Sequence, residues 1–277
     1  MISEFLRNKM ALAGLVFISA ILLFALFAPV IAPYDPTYID TKNILVGPSN
    51  SHIFGTDTLG RDIFSRVVYG SRISLSIGFI AVGIAVFIGV IFGSVAGYYG
   101  GRLDYILMRF VDMMLCFPTL FLILAVIAIL EPSIFNIMIV IGATGWMGVA
   151  RLVRAEILSL KSRDYVTCAR VMRGSDWWVI TRHLIPNAIG PVLVSATIGI
   201  GGAILLESAL SFLGIGVQPP TPSWGNILMD GKSTLGVAWW VTVFPGIFIM
   251  LTVLSYNLIG EALRDAMEPR LKTYVSS

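Results

Sequence analysis

The sequence predicts an all-α membrane protein with six transmembrane helices, and three observations carry that prediction. The 277 residues are 57% hydrophobic and only 13% charged, far more apolar than a water-soluble domain of this length could hide. Several uncharged runs are long enough to cross a hydrocarbon core of about 30 Å at a rise of about 1.5 Å per residue. The Lys and Arg residues collect in the segments between those runs, as they do beside membrane spans.

Residues 10–33 carry no charge and end in prolines (Pro29, Pro33). The run exceeds the core of a signal peptide, typically about 7–15 residues, so it is read as a retained span. Residues 34–72 are polar, with turn formers at Pro36, Gly47, Pro48 and Asn50. From 58 to 68, Leu59, Ile63, Phe64, Val67 and Val68 fall at helical spacing, with Arg61, Asp62 and Arg66 on the other face. That pattern predicts a helix in the membrane interface, or a small extramembrane helix packed on its own loop.

Residues 73–101 form the second uncharged run, and Gly78, Gly83, Gly89, Gly93 and Gly97 would let another helix approach closely. The third span is expected over 105–130, with Arg109 and Asp112 paired on one face near its start. The fourth covers 132–150. The fifth takes in 184–206, followed by Glu207, which can line a path or hydrogen-bond the segment after it. That segment, 208–225, holds Pro219, Pro220 and Pro222 and cannot continue a lipid-exposed helix. It is expected at the outer surface or dipping back into a protein-lined cavity. The sixth span lies within 233–260, bent at Pro245, and a tail with Arg264, Arg270 and Lys272 follows.

Between the fourth and fifth spans lies a basic island, residues 151–187, carrying Arg151, Arg154, Lys161, Arg163, Arg170, Arg173 and Arg182. The fourth span is expected to continue past the membrane to Lys161. Asp164 can cap a helix over 165–172, Gly174 allows a sharp turn, and Ser175 or Asp176 can cap a third helix ending near Pro186. Two short helices joined by a glycine turn make a knob, with Tyr165, Cys168, Ala169 and Met172 as a mixed small and bulky surface that suits a concave partner. Placing the island inside the cell puts fourteen Lys and Arg on the inner side and five on the outer, which fixes the expected orientation with both termini cytoplasmic. No basic patch interleaved with aromatics points to nucleic acid. The two cysteines, Cys116 and Cys168, make no disulfide framework. The two histidines, His52 and His183, fall on opposite sides of the membrane, so no metal site is expected.

The island resembles the EAA loop of ABC importer permeases. Ala169 and Pro186 match its pattern, Thr167 and Cys168 occupy its two leading positions, Arg173 stands at its glycine position and His183 at its isoleucine position, with the glycine displaced to Gly174. The stretches HIFGTDTLGRDIFSRVVYGSRISLSIG (52–78), ESALSFLGIGVQPPTPSWGNIL (207–228) and ALAGLVFISAILLFALFAPVIAPYDP (11–36) are similar to the C-type permease subunit of peptide/nickel-type ABC importers. The resemblance covers nearly the whole chain. It implies a type I importer permease fold with one extra amino-terminal span: 1–70 as that span plus an extracytoplasmic segment, 71–260 as the core, 261–277 as a cytoplasmic tail. It implies a second permease of the B type, two cytoplasmic ATPases that bind ATP and Mg²⁺, and an extracytoplasmic solute-binding protein, in the membrane of a prokaryotic cell. It also implies that Tyr165, Thr167, Cys168, Ala169, Arg170, Arg173, Gly174, Asp176 and Pro186 form the ATPase-coupling loop.

The solute expected is a di- or oligopeptide, with nickel or another small solute as the alternative. The chain carries no G-x-x-x-x-G-K-[ST] run, so nucleotide hydrolysis is expected of the partners, and no catalytic residue is expected here. An ion-coupled secondary transporter would want an internal repeat and charges at mid-membrane. A membrane enzyme would want a catalytic constellation. Neither feature is found.

Overall fold

The computed structural model describes residues 7–131, 133–172 and 175–267, and among these the regular structure is helical. Five helices are long and apolar enough to span a bilayer, and a bent pair makes the sixth. The first is α1 (Lys9–Leu26), where the Asn8 side chain accepts hydrogen bonds from the amides of Met10 and Ala11. It stops at Phe27, and a short α2 (Ala28–Ile31) with proline in its first turn follows. Arg72 donates to the carbonyls of Ala25 and Leu26, satisfying the orphan acceptors at the end of α1.

Helix α3 (Ile63–Tyr99) runs unbroken for 37 residues, about 55 Å at about 1.5 Å each. Its amino end corrects the expected helix over 58–68. Asp62 caps it by accepting from the Ser65 amide at 2.7 Å, so residues 58–62 are turn and cap rather than helix. Arg61, Asp62 and Arg66 do not face solvent: all three are buried, because the preceding loop folds back over them.

The third span is also corrected. It is a pair, α4 (Gly101–Leu115) and α5 (Thr119–Ile129), bent by 84°. Pro118 explains the break, since it has no N–H to donate and it pushes Phe117 out of the helical region. Asp104 and Asp112, separated by eight residues on α4, reach Arg154 and Arg151, only three apart on the next helix. Helix α4 therefore crosses that helix obliquely. Arg109 and Asp112 do not pair: Arg109 lies 5.1 Å from the centroid of the Tyr105 ring.

Helix α6 (Ile134–Lys161) carries the fourth span on to Lys161 as expected. Its neighbour is α3, and the seam is built from glycine. Cβ atoms added at Gly89, Gly93 and Gly97 would lie 2.6 Å from Val149 Cβ, 2.5 Å from the Ala150 carbonyl oxygen and 2.8 Å from Ile157 Cβ. Spaced four apart, these glycines form one stripe along which two backbones touch. Gly83 is not in the seam, for nothing lies within 4 Å of its added Cβ.

Short helices α7 (Asp164–Val171) and α8 (Asp176–Val179) form the island. A π-helical turn over Ile180–Leu184 then leads into α9 (Ile185–Phe212). The expected stop near Pro186 is thus overturned: residues 176–212 form one helical stretch. The widened turn before Pro186 accommodates a residue with no N–H, whose ring would otherwise strike the carbonyl one turn back.

Helix α10 (Trp224–Asp230) and α11 (Trp240–Met267) complete the bundle, and Pro245 lies inside the continuous α11. Segment 208–225 continues α9 as far as Phe212, exposes Gln218, Pro219 and Pro220, and turns into the protein at its end, where Ser223, Trp224 and Gly225 are buried. A hydrophobic cluster of Ile18, Ile21, Val67, Ile204, Trp224, Ile227, Val241 and Tyr256 ties α1, α3, α9, α10 and α11 together. Trp240 donates from its indole to the Thr56 carbonyl at the amino end of α3, and a Cβ at Gly190 would strike Met267. Helix α11 therefore ends at the same end of the bundle as the island.

Candidate functional site

The island folds as a knob whose underside is apolar and whose outer side is not covered. Asp164 stands in the first turn of α7, favourable at the positive end of a helix, while Arg163 takes the capping position assigned to Asp164 from sequence. Ser175 does cap α8, accepting from the Trp178 amide at 3.3 Å. Val166, Ala169, Val179, Ile180 and Leu184 pack inward against Ile157 and Tyr98.

Facing outward are Tyr165, Cys168, Val171, Met172, Trp177 and Trp178. Seven residues, Tyr165, Cys168, Ala169, Met172, Ser175, Trp178 and His183, surround an open depression of about 750 Å³. Ala169 is its floor: at 6% exposure it belongs to the packed underside, while Met172 at 83% stands on the rim. Thr167, Asp176 and Pro186 are exposed and Arg170 is partly covered. Arg173 and Gly174 lie outside the described residues. Large apolar side chains are thus left open on a stretch that also exposes Arg163 and Arg182.

Sequence reading missed what holds the knob. The Tyr98 hydroxyl donates to Asp176 Oδ1 at 2.6 Å, and the Arg170 guanidinium lies 4.8 Å from the centre of its ring. Lys161 donates to the Tyr98 carbonyl, one of the orphan acceptors at the end of α3. The only sequence cue was a Tyr-Tyr pair before Gly100-Gly101, which reads as an ordinary interfacial belt.

At the far end of α3 lies a second feature that sequence reading missed. Asp57 Oδ2 accepts from Arg61 Nε at 2.7 Å and from an Arg66 guanidinium nitrogen at 2.5 Å. Asp230 Oδ2 accepts from the same two arginines at 2.9 and 2.8 Å. Two acids and two arginines thus close a neutral ring joining the 34–62 segment, α3 and α10. The Asp62 carboxylate stays outside this ring and instead meets His52 Nδ1 at 3.0 Å.

Glu207 lies inside α9, fully buried. Its Oε1 accepts from Ser211 Oγ at 2.6 Å and Ser223 Oγ at 3.0 Å. Ser223 and Asn226 form a capping box at the start of α10, and the Trp224 amide donates to Ser74 Oγ at 3.2 Å. Glu207 therefore anchors the inturned segment. Glu207→Gln keeps the accepting oxygen and should leave the melting temperature of the purified protein near that of the parent. Glu207→Leu leaves the two serine hydroxyls without their acceptor and should destabilise by about 1–3 kcal/mol, seen as a lower melting temperature.

Comparison with known proteins bears directly on this architecture. Residues 89–273 match the family described as "Binding-protein-dependent transport system inner membrane component", and residues 1–48 match the "N-terminal TM domain of oligopeptide transport permease C". A dipeptide transport system permease protein from Alkalihalophilus pseudofirmus is 43% identical over 96% of this chain and 88% of its own length. An oligopeptide transport system permease protein from Bacillus subtilis is 40% identical over 97% and 88%. A glutathione transport system permease protein from Pectobacterium atrosepticum is 40% identical over 98% and 90%.

Among solved structures, the inward-facing MetNI methionine ABC transporter has a chain that superposes with a TM-score of 0.55 at 18% identity, over 73% of this chain and 97% of that one. At that identity the likeness is one of fold. The extent of the family match, the extra amino-terminal span and the identity held over nearly the full length lead to one conclusion: this chain belongs to the family of inner-membrane permease components of binding-protein-dependent ABC importers.

Proposed function

We propose that this permease imports short peptides and takes its driving force from a cytoplasmic ATPase gripping the knob. The observation that carries the solute class is the set of relatives named for dipeptide, oligopeptide and glutathione transport, each about 40% identical over nearly the whole chain. What those solutes share is a short peptide backbone with charged ends. The chain works beside a second permease of the B type, so that each supplies half of the pathway. Two cytoplasmic ATPases bind and hydrolyse ATP with Mg²⁺, and an extracytoplasmic binding protein delivers the peptide.

Several features support this arrangement. The inside-positive bias of the sequence supports a cytoplasmic knob and cytoplasmic termini. Tyr165, Cys168, Met172 and Trp178 rim a depression open at the surface. ATP-driven closure of the ATPase pair moves the knob, and the knob tilts the spans joined to it. This is a two-state element biased by a ligand bound elsewhere.

Met172→Glu tests the docking. It places a charge on an exposed rim that packs nothing inside the chain, so the permease should still insert and fold. ATPase retained on the tagged permease should fall about tenfold, as for loss of an interface anchor, and uptake of radiolabelled trialanine by the reconstituted transporter should fall with it. Unchanged retention and uptake would refute the docking assignment.

A further inference from the structure

We infer that Tyr98 is the positioning residue that passes the knob's movement into the membrane, an inference that rests on the docking reading above. Three separate parts of the knob meet on this one residue. Lys161, the last residue of α6, donates to its carbonyl. Arg170, near the end of α7, stacks its guanidinium over the ring at 4.8 Å. Asp176, the first residue of α8, accepts from its hydroxyl at 2.6 Å. Val166, Ala169 and Val179 belong to the same apolar cluster as Tyr98, which is 6% exposed. The knob therefore cannot shift relative to the end of α3 without breaking a charge-assisted hydrogen bond and opening an apolar cluster.

What Tyr98 holds is itself stiff. Its helix, α3, is pressed along the Gly89, Gly93 and Gly97 seam against α6 at distances that leave no room for a methyl group. Helix α3 runs on to the Asp57–Arg66–Asp230 ring at the opposite end of the bundle. A push on the knob thus reaches the outer end through a helix pair that cannot bend at its contact line. Packed interfaces of this kind move as units rather than deforming continuously. The hydroxyl is the critical group: the ring alone would fill the same volume, while only the O–H fixes α8 to α3 in direction.

The test uses the complete transporter in proteoliposomes, with both permeases, both ATPases and the binding protein, and trialanine as the probe solute. Tyr98→Phe keeps the ring and loses the hydroxyl. ATPase retained on the permease should match the parent. The ratio of trialanine-stimulated to basal ATP hydrolysis should fall, and peptide moved per ATP should drop about tenfold, the scale of one lost hydrogen bond to a charged group.

Asp176→Ala removes the acceptor of the hydroxyl and should lower peptide moved per ATP as Tyr98→Phe does. The double variant Tyr98→Phe/Asp176→Ala should be no worse than either alone. A purely structural role would lower assembly and leave peptide moved per ATP unchanged. Should Tyr98→Phe and Asp176→Ala couple as well as the parent while Met172→Glu releases the ATPase, the inference is overturned and the docking reading stands. Should Met172→Glu fail to release the ATPase, the docking reading falls and this inference falls with it.

Discussion

Replacing Gly93 with leucine is expected to remove nearly all functional transporter from the membrane. A Cβ at this position would sit 2.5 Å from the Ala150 carbonyl oxygen and 2.7 Å from Val153 Cβ. Backbone cannot yield as a flexible side-chain tip can, so α3 and α6 must separate along their whole contact. Overpacking in a well-filled interior usually costs about 1–3 kcal/mol, and a clash with main chain lies at the upper end or beyond. Gly83→Leu is the control, because its added Cβ meets nothing within 4 Å. Yield of monodisperse protein after detergent extraction should collapse for the first variant and hold for the second.

The second large effect concerns the buried ring of charges. Arg66 is 1% exposed and bridges Asp57 and Asp230, which are far apart in sequence and belong to different layers. Arg66→Ala would leave Asp57 dry with Arg61 alone and open a cavity at the start of α3. Removing one partner of a buried ion pair typically costs about 3–5 kcal/mol. Thermal unfolding of the purified permease should shift down accordingly, and protease should cut the 34–62 segment sooner. Asp230→Asn should cost distinctly less, since that carboxylate is 25% exposed and water can replace a lost bond. Equal shifts for the two variants would mean that the ring is solvated and carries little of the stability.

Much of this fold was legible in the sequence, and for clear physical reasons. Uncharged runs near Ile21, Val86 and Leu193 are long enough to cross a bilayer. Gly89, Gly93 and Gly97 announced a close helix contact through their spacing, and they found it on α6. The knob was visible because Ser175 is a good cap and adjacent tryptophans are out of place in a plain loop.

What escaped depended on tertiary partners. Arg61 and Arg66 look solvated from their helical face, and only the folded 34–62 segment and Asp230, some 164 positions away from Arg66, reveal that they are buried. The bend at Pro118 was signalled by its residue type, but the apolar run on either side hid it. Pro186 predicts a stop because proline usually ends a helix, and the π-helical turn over Ile180–Leu184 that carries the chain past it has no sequence signature. Tyr98 was unreadable for the same reason: its three partners come from three elements that sequence alone does not bring together.

The most direct measurement is labelling of Cys168, exposed on α7, with a membrane-impermeant maleimide in a Cys116→Ser background. Cys168 is expected to resist the reagent in intact cells, to react in inverted vesicles stripped of ATPase, and to be protected again when the ATPase is rebound. Labelling in intact cells, or labelling in inverted vesicles that the rebound ATPase does not slow in a transport-competent assembly, would contradict the view that the knob is a cytoplasmic handle for the motor.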